Sequence, residues 1–221
     1  MKNATPPILL EDNHCLAIAK PAGLLTMGDD TGDETAADLV REYLREKYSK
    51  PGNVFLGVVH RLDRPVSGTL LFARTSKAAS RLSDQFRRGA VRKTYVALVE
   101  GRVDATSGEL VDWLSKDGSR NHVSVVTRTL DGARKCRLQY RVLESQQDQT
   151  LVEIRPLTGR SHQIRVQLAH FGHPIVGDLR YGAKDELGSQ IMLHAARLQF
   201  THPTLNTDIA VECHMPDAFE F

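Results

Sequence analysis

The chain has 221 residues, and its 29 Lys+Arg against 27 Asp+Glu give a formal charge of +2. With 41% hydrophobic and 25% charged residues it has the composition of a globular protein, which excludes a disordered acidic tail, a collagen-like chain and a coiled coil. No run of about 18 apolar residues is present, which excludes a membrane-spanning helix.

From the N-terminus, Met1–Pro7 offers no apolar core and no small-residue cleavage site, so no secretion signal is expected. Cys15, Cys136 and Cys213 are odd in number and far apart, the pattern of reduced, buried thiols in a cytoplasmic protein. Ile8–Glu11 and Cys15–Ala19 flank Asp12-Asn13-His14 and read as strand, tight turn, strand. Lys20-Pro21-Ala22-Gly23 breaks the pattern into a loop. Thr35–Tyr48 places Ala36, Leu39, Val40, Tyr43 and Leu44 at helical spacing behind Thr35 as cap. Gly57–Val59 and Thr69–Ala73 are short apolar strands around His60–Gly68. A second helix is predicted over Ser76–Arg88, capped by Thr75, ended by Gly89 and buried along Ala79, Leu82 and Phe86. Val91–Val99 alternates as a strand with Tyr95, Ala97 and Val99 on one face.

Loops are expected at Gly101–Gly108 and Gly182–Gly188, the segments with most freedom to move. Arg137–Val142 and Leu151–Arg155 alternate as strands around a polar turn, Glu144–Gln149. His162–Phe171 reads as a helix opened by the Pro156–Arg160 loop and closed by Gly172. Ile191–Phe200 and Asp208–Cys213 supply the last strands. Strands outnumber helices without alternating regularly with them, which argues for an α+β fold in one domain spanning residues 1–221. Charge is uneven along the chain. Arg74, Lys77, Arg81, Arg87, Arg88, Arg92 and Lys93 stand against Asp84 alone, +6 in twenty residues, while Pro203–Phe221 carries −4. A basic run of this kind fits either a polyanion partner or a solvated helix face.

Three segments can carry chemistry. In His60-Arg61-Leu62-Asp63-Arg64-Pro65-Val66-Ser67-Gly68, the Asp63 carboxylate lies between two arginines that favour its ionised form, suiting it to act as nucleophile or base. It equally suits an Asp that caps a turn before Pro65. In Lys93-Thr94-Tyr95, the Tyr95 ring could pack on a base or sugar, or fill the core. In Leu157-Thr158-Gly159-Arg160-Ser161-His162-Gln163-Ile164-Arg165, one of the two guanidiniums, Arg160 or Arg165, can pair with a carboxylate while the other holds phosphate at a helix start. His162, His170 and His173 lack the Cys or acidic cluster of a metal site, and His194 reads as a structural histidine. No phosphate-binding glycine loop is present, and Ser67 with His60 lacks a nucleophile-elbow pattern.

Taken together, the segments resemble the RluA-like family of RNA pseudouridine synthases. The resemblance rests on Lys20-Pro21-Ala22-Gly23-Leu24-Leu25, His60-Arg61-Leu62-Asp63 with Ser67-Gly68, Lys93-Thr94-Tyr95-Val96-Ala97, Thr158 to Arg165, Gly172-His173-Pro174-Ile175-Val176-Gly177-Asp178 and Leu193-His194-Ala195, in order from about Ile8 to Pro216. It implies a mixed, mostly antiparallel sheet with flanking helices and a central cleft. It implies Asp63 as the catalytic aspartate, Tyr95 against the target base as proton acceptor, and Arg165, rather than Arg160, paired with Asp63. Arg61 would fill the stack vacated by the target nucleotide. The expected RNA-contacting set is His60, Arg61, Arg64, Arg87, Arg88, Arg92, Lys93, Arg160 and His162. The implied partner is structured RNA, rRNA or tRNA, bound by a monomer with no membrane association, no metal and no cofactor. Two departures stand out. No S4-like RNA-binding domain fits before Ile8, which shifts substrate grip onto the catalytic domain. Cys136 and Leu138 stand where the family often has a small residue and a threonine. Two rival readings are a non-catalytic RNA-binding protein and a metal-dependent hydrolase using His60 and Asp63.

Overall fold

The computed structural model describes residues 4–28, 32–118 and 122–219. Met1–Asn3, part of the segment read for a leader, and Glu220 of the acidic stretch lie outside them. In chain order the elements are β1 (Ile8–Glu11), β2 (Cys15–Lys20), α1 (Ala36–Lys47), β3 (Gly57–Val58), β4 (Ser67–Ala73), α2 (Ser76–Arg87), β5 (Arg92–Glu100), β6 (Ser107–Asp117), β7 (His122–Val125), β8 (Arg134–Gln146), β9 (Gln149–Pro156), α3 (Gln163–His170), β10 (Leu193–Thr201) and β11 (Asp208–Glu212). The pairs β1–β2, β2–β4, β3–β4, β10–β11, β5–β9, β8–β9, β6–β8 and β6–β7 are antiparallel, and an isolated bridge from Leu25 to Thr35 is parallel. This is the expected α+β class. The chain divides into two compact units, one of residues 1–92 with 195–214 and one of residues 93–194 with 215–221.

In the first unit the strands run β1-β2-β4-β10-β11, with β3 added to β4. Central strands buried on both faces read as unbroken apolar runs, and Leu70, Leu71, Phe72 and Ala73 of β4 are all fully buried. Cys15, Ala17, Leu71, Ala73, Leu198, Phe200 and Val211 form one core face, to which α2 contributes Ala78 and Leu82. Burying Leu82 completely contributes about 2 kcal/mol. α2 starts where the Thr75 side chain accepts from the Ala78 N–H at 3.2 Å and ends at Gly89, whose φ of +71° leaves the helix. α1 starts in a capping box in which the Thr35 hydroxyl and the Asp38 carboxylate serve each other's N–H groups. Its far end is held to β1 by Glu11. Tyr43 and Lys47 donate to Glu11 Oε2 at 2.7 Å each, and Tyr48 donates to Oε1 at 2.6 Å. Burial pushes the Glu11 carboxyl up, and these hydrogen bonds outweigh it and hold it down at about 2.

In the second unit the order is β5-β9-β8-β6-β7. β6 and β7 occupy a stretch to which the sequence assigns no element. The inward positions of β6 are Leu110, Asp112 and Leu114, and the acid in the middle breaks the hydrophobic alternation. Asp112 faces inward because Gln167 of α3 donates to its Oδ2 at 2.8 Å. β8 runs four residues further than expected, because an irregularity at Val142/Glu144 lets pairing continue to a two-residue turn at Gln147-Asp148. The expected loop at Gly101–Gly108 is tied down: buried Thr150 accepts from the Val103 N–H and donates to the Gly101 carbonyl. α3 lays Val166 against Leu114, Val123 and Cys136. Beyond it, Val176 N–H donates to Leu98 O at 3.0 Å and Pro174 O accepts from Glu100 N–H at 2.9 Å, stitching the segment after α3 to β5.

Candidate active site

In the first unit, Asp63 is half-buried between two buried anchors, Leu62 and Val66. The preceding loop grips this segment through its backbone. Thr26 Oγ1 donates to Leu62 O at 2.9 Å and accepts from the Leu62 N–H at 3.1 Å. Gly23 N–H donates to Arg64 O at 2.8 Å, and Arg64 Nε returns a bond to Gly23 O at 3.0 Å. Beneath both lies Lys20, 1% exposed, whose Nζ donates to the carbonyls of Leu24 (2.7 Å), Pro21 (2.9 Å) and Arg64 (3.3 Å). Burial drives this ammonium down to about 7, against the pull of the Asp63 carboxylate. Sequence reasoning placed Lys20 in a loop-breaking motif and missed that it is the loop's internal clamp. After Asp63 the chain enters β4 at Ser67, and Gly68 follows with φ +116° and the position of a Cβ only 2.4 Å from Ala195 O; no other residue fits.

The cationic residues expected to meet RNA divide into exposed groups and groups already engaged. Arg61, Arg92 and Arg160 are exposed. Arg64 is exposed and pairs with Asp33 at 2.8 Å. Arg87 and Arg88 are exposed and share Asp84. His60 is half-buried, accepts from the Leu71 N–H at 2.9 Å and stacks on Phe86 at 4.7 Å, so its ring braces the loop. The +6 run is therefore not one solvated stripe. Arg74 is turned in to Glu11, with its side chain 7% exposed, and Arg81 donates to Pro203 O at 2.6 Å.

In the second unit, Tyr95 lies on β5 opposite Ile154 of β9, half-buried. Lys93 is half-buried two positions earlier, where burial lowers its pKa, and a side chain at Gly159 would meet its Nζ at 3.4 Å. The loop before α3 is organised by buried Gln163. Its Oε1 accepts from Thr158 Oγ1 at 2.8 Å and the Arg160 N–H at 3.1 Å, while its Nε2 donates to Arg137 O at 3.0 Å. His162 takes the left-handed conformation, φ +51°, at the helix start, with Nδ1 2.7 Å from Tyr181 Oη. Arg165 projects from the first turn of α3. The helix is not a surface helix, since its first six residues are all buried. Arg165 pairs with Asp178 through Nε–Oδ2 at 2.6 Å and Nη2–Oδ1 at 2.8 Å. Asp178 and Tyr181 were not singled out in the sequence, although Asp178 closes one of the quoted motif blocks.

Among the described residues, Asp12, Cys15 and His202 bring three potential metal ligands together. Their hydrogen bonds account for the cluster. His202 Nδ1 accepts from the N–H groups of Leu205 (3.0 Å) and Thr204 (3.3 Å), which puts its proton on Nε2, bonded to Asp12 Oδ2 at 3.0 Å. Metal ligation at Nε2 requires the opposite arrangement, with Nδ1–H as donor. Asp12 Oδ1 closes the β1–β2 turn on the N–H groups of His14 and Cys15, and burial pushes the Cys15 thiol up to about 12. His173 and His170 are apart from this cluster; His173 Nδ1 lies 2.9 Å from Glu100 O, and His170 Nε2 lies 3.9 Å from Asp112.

A ribosomal large subunit pseudouridine synthase C of Vibrio cholerae is 37% identical over 216 residues, 95% of this chain and 65% of that protein. An uncharacterized RNA pseudouridine synthase of Bacillus subtilis, YhcT, is 35% identical over 213 residues, 95% of this chain and 68% of that protein. The chain thus spans about two-thirds of the length of these relatives. The solved structure of human RNA pseudouridylate synthase domain containing 4 superposes with a TM-score of 0.79 at 25% identity, over 96% of this chain and 90% of that one. The sequence profile of the RNA pseudouridylate synthases matches residues 14–170, a span that includes Asp63, Tyr95 and Arg165, and on these grounds the chain belongs to the RNA pseudouridylate synthase family.

Proposed function

We propose that the chain isomerises uridine to pseudouridine in structured RNA, with ribosomal RNA of the large subunit as first substrate and transfer RNA as the alternative. The relatives' names support the substrate class. The observation that carries the catalytic reading is Asp63 itself, a half-buried carboxylate fixed in a loop whose backbone is clamped from Lys20 to Thr26.

The reaction breaks the N1–C1′ bond and forms a C5–C1′ bond; C5 loses a proton and N1 gains one. Atoms and electrons balance within the nucleotide, so the chemistry needs neither a redox cofactor nor a metal. The detached uracil must be retained and rotated, which requires a site shielded from water. The target atoms are inaccessible in a stacked helix, so the nucleotide flips out, at a cost of a few kcal/mol. Arg61, planar and exposed, offsets part of this by stacking in the gap. Asp63 acts at the sugar, by attack at C1′ or by removal of the C2′ proton. Tyr95 packs on the uracil and accepts the C5 proton. Arg165 holds Asp63 ionised and aimed. The remaining cations, Arg64, Arg87, Arg88, Arg92, Lys93 and Arg160, track the phosphates, whereas the engaged rings of His60 and His162 shape the loops that carry them.

The test is Asp63→Asn assayed by tritium release from 5-tritiated uridine in a large-subunit rRNA transcript, without added metal. The expected result is turnover lowered by about 10³-fold or more with RNA affinity retained. Turnover near that of the unaltered protein removes Asp63 from the mechanism. Absence of release by the unaltered protein from both rRNA and tRNA transcripts removes the functional reading.

A further inference from the structure

Arg165 is enclosed by one short segment of its own unit. Asp178 lies on its edge, and the two side chains are 6% and 1% exposed. Tyr181, three residues on, lies under its plane, with the guanidinium carbon 5.0 Å from the ring centroid. A single 3-10 turn, Leu179–Tyr181, joins the two. Its backbone is fixed in turn: Asp178 O accepts from the N–H groups of Tyr181 (2.9 Å) and Ala183 (3.1 Å), and Asp178 N–H donates to Ile175 O at 2.9 Å. The Tyr181 hydroxyl accepts from the Val123 N–H at 3.2 Å, which leaves its proton for His162 Nδ1 at 2.7 Å. Burial raises the Tyr181 pKa and keeps the phenol protonated.

A buried ion pair is a poor source of stability, because apolar side chains of similar volume serve as well or better. Its value here is orientation. An arginine side chain has many rotamers, and a bidentate bond through Nε and Nη2 together with a ring against its face selects one of them. We propose that Asp178 and Tyr181 are positioning residues that preset the Arg165 guanidinium for the catalytic carboxylate. The proposal rests on the reading of Arg165 as the partner of Asp63. Both residues lie beyond the 14–170 span of the family profile. They act through Arg165 and need not touch RNA.

The experiment is a double-mutant cycle on the full chain, with single-turnover tritium release from the large-subunit rRNA transcript, or from a tRNA transcript if that is the RNA turned over, and filter-binding affinity for the same RNA. Asp178→Asn keeps the shape and removes the charge. It should slow the chemical step by about 100-fold, with RNA affinity changed less than about threefold. Added to Arg165→Met it should slow the reaction no further, since the group it orients is gone. Tyr181→Phe keeps the ring and should stay within about tenfold of the unaltered rate, whereas Tyr181→Leu should fall well below it at unchanged affinity. A rate for Asp178→Asn within about threefold of the unaltered protein, or effects that multiply with Arg165→Met, overturns the proposal. If circular dichroism shows Asp178→Asn unfolded, Tyr181→Leu and Asp178→Glu are carried through the same cycle with the same criteria. An unaltered protein inactive on both RNAs overturns the functional reading and this proposal with it, whereas an active protein with an unaffected Asp178→Asn overturns this proposal alone.

Discussion

Lys20 illustrates what a buried ammonium does to its surroundings and what they do to it. Three carbonyls take its protons, and Lys20→Met would leave those of Pro21 and Leu24 without their Nζ donor. The expected loss of stability is about 2–4 kcal/mol by urea titration, with tritium release in the proposed assay falling alongside as the loop around Asp63 loosens. The pH dependence has a definite sign. The folded state releases the Lys20 proton near 7, whereas the unfolded chain holds it to about 10.5. Between those values the unfolded state binds more protons, so Lys20 makes stability rise with pH from about 7 upward. Urea midpoints at pH 6.5, 8 and 9.5 should show that rise in the unaltered protein and a flatter profile in Lys20→Met. As candidates, Asp63, Tyr95 and Arg165 were legible because each sits in a contiguous motif. The clamp role of Lys20 and the pairing of Asp178 were not, since each depends on contacts the chain makes only once folded.

Among the elements, α1 shows a helix whose two ends are secured by different means. Its start was readable from Thr35 as cap and the apolar spacing behind it, and Asp38 completes a capping box there. Its far end depends on Glu11, a residue 25 positions before the helix begins, and no local pattern announces that. Glu11→Gln weakens hydrogen bonds from Tyr43, Lys47 and Tyr48 and should cost about 1–2 kcal/mol in a thermal or urea melt. Its carboxyl is held at about 2 against the ordinary 4.5, so its contribution is complete above 4.5 and disappears as pH falls toward 2. Acid titration of the two proteins should therefore converge, the difference between them vanishing at low pH. β6 was illegible for a related reason: Asp112 occupies a core-facing position whose partner, Gln167, is 55 residues away. β8 was read too short because a bulge shifts the alternation on which the reading depends.

On the scale of the whole molecule, the first unit is discontinuous, closed by residues 195–214 after the second unit has intervened. Gly68 marks the closure, since β4 comes against β10 there at a separation that leaves no room for a methyl group. Gly68→Ala combines a forbidden φ with a clash against Ala195 backbone and should destabilise the protein by about 3 kcal/mol or more in a urea melt. Composition and strand spacing made the α+β class readable, but pairing of β4 with a strand more than a hundred residues later lies outside any local signal. That separation has a temporal consequence during synthesis. At roughly 5–20 residues per second, the β4 edge emerges from the ribosome and waits on the order of 10 s for its neighbour. For that interval the β4 edge around Gly68, beyond the stretch that β3 covers at Phe72 and Ala73, stays unfilled, the kind of surface that recruits chaperones and invites misassociation.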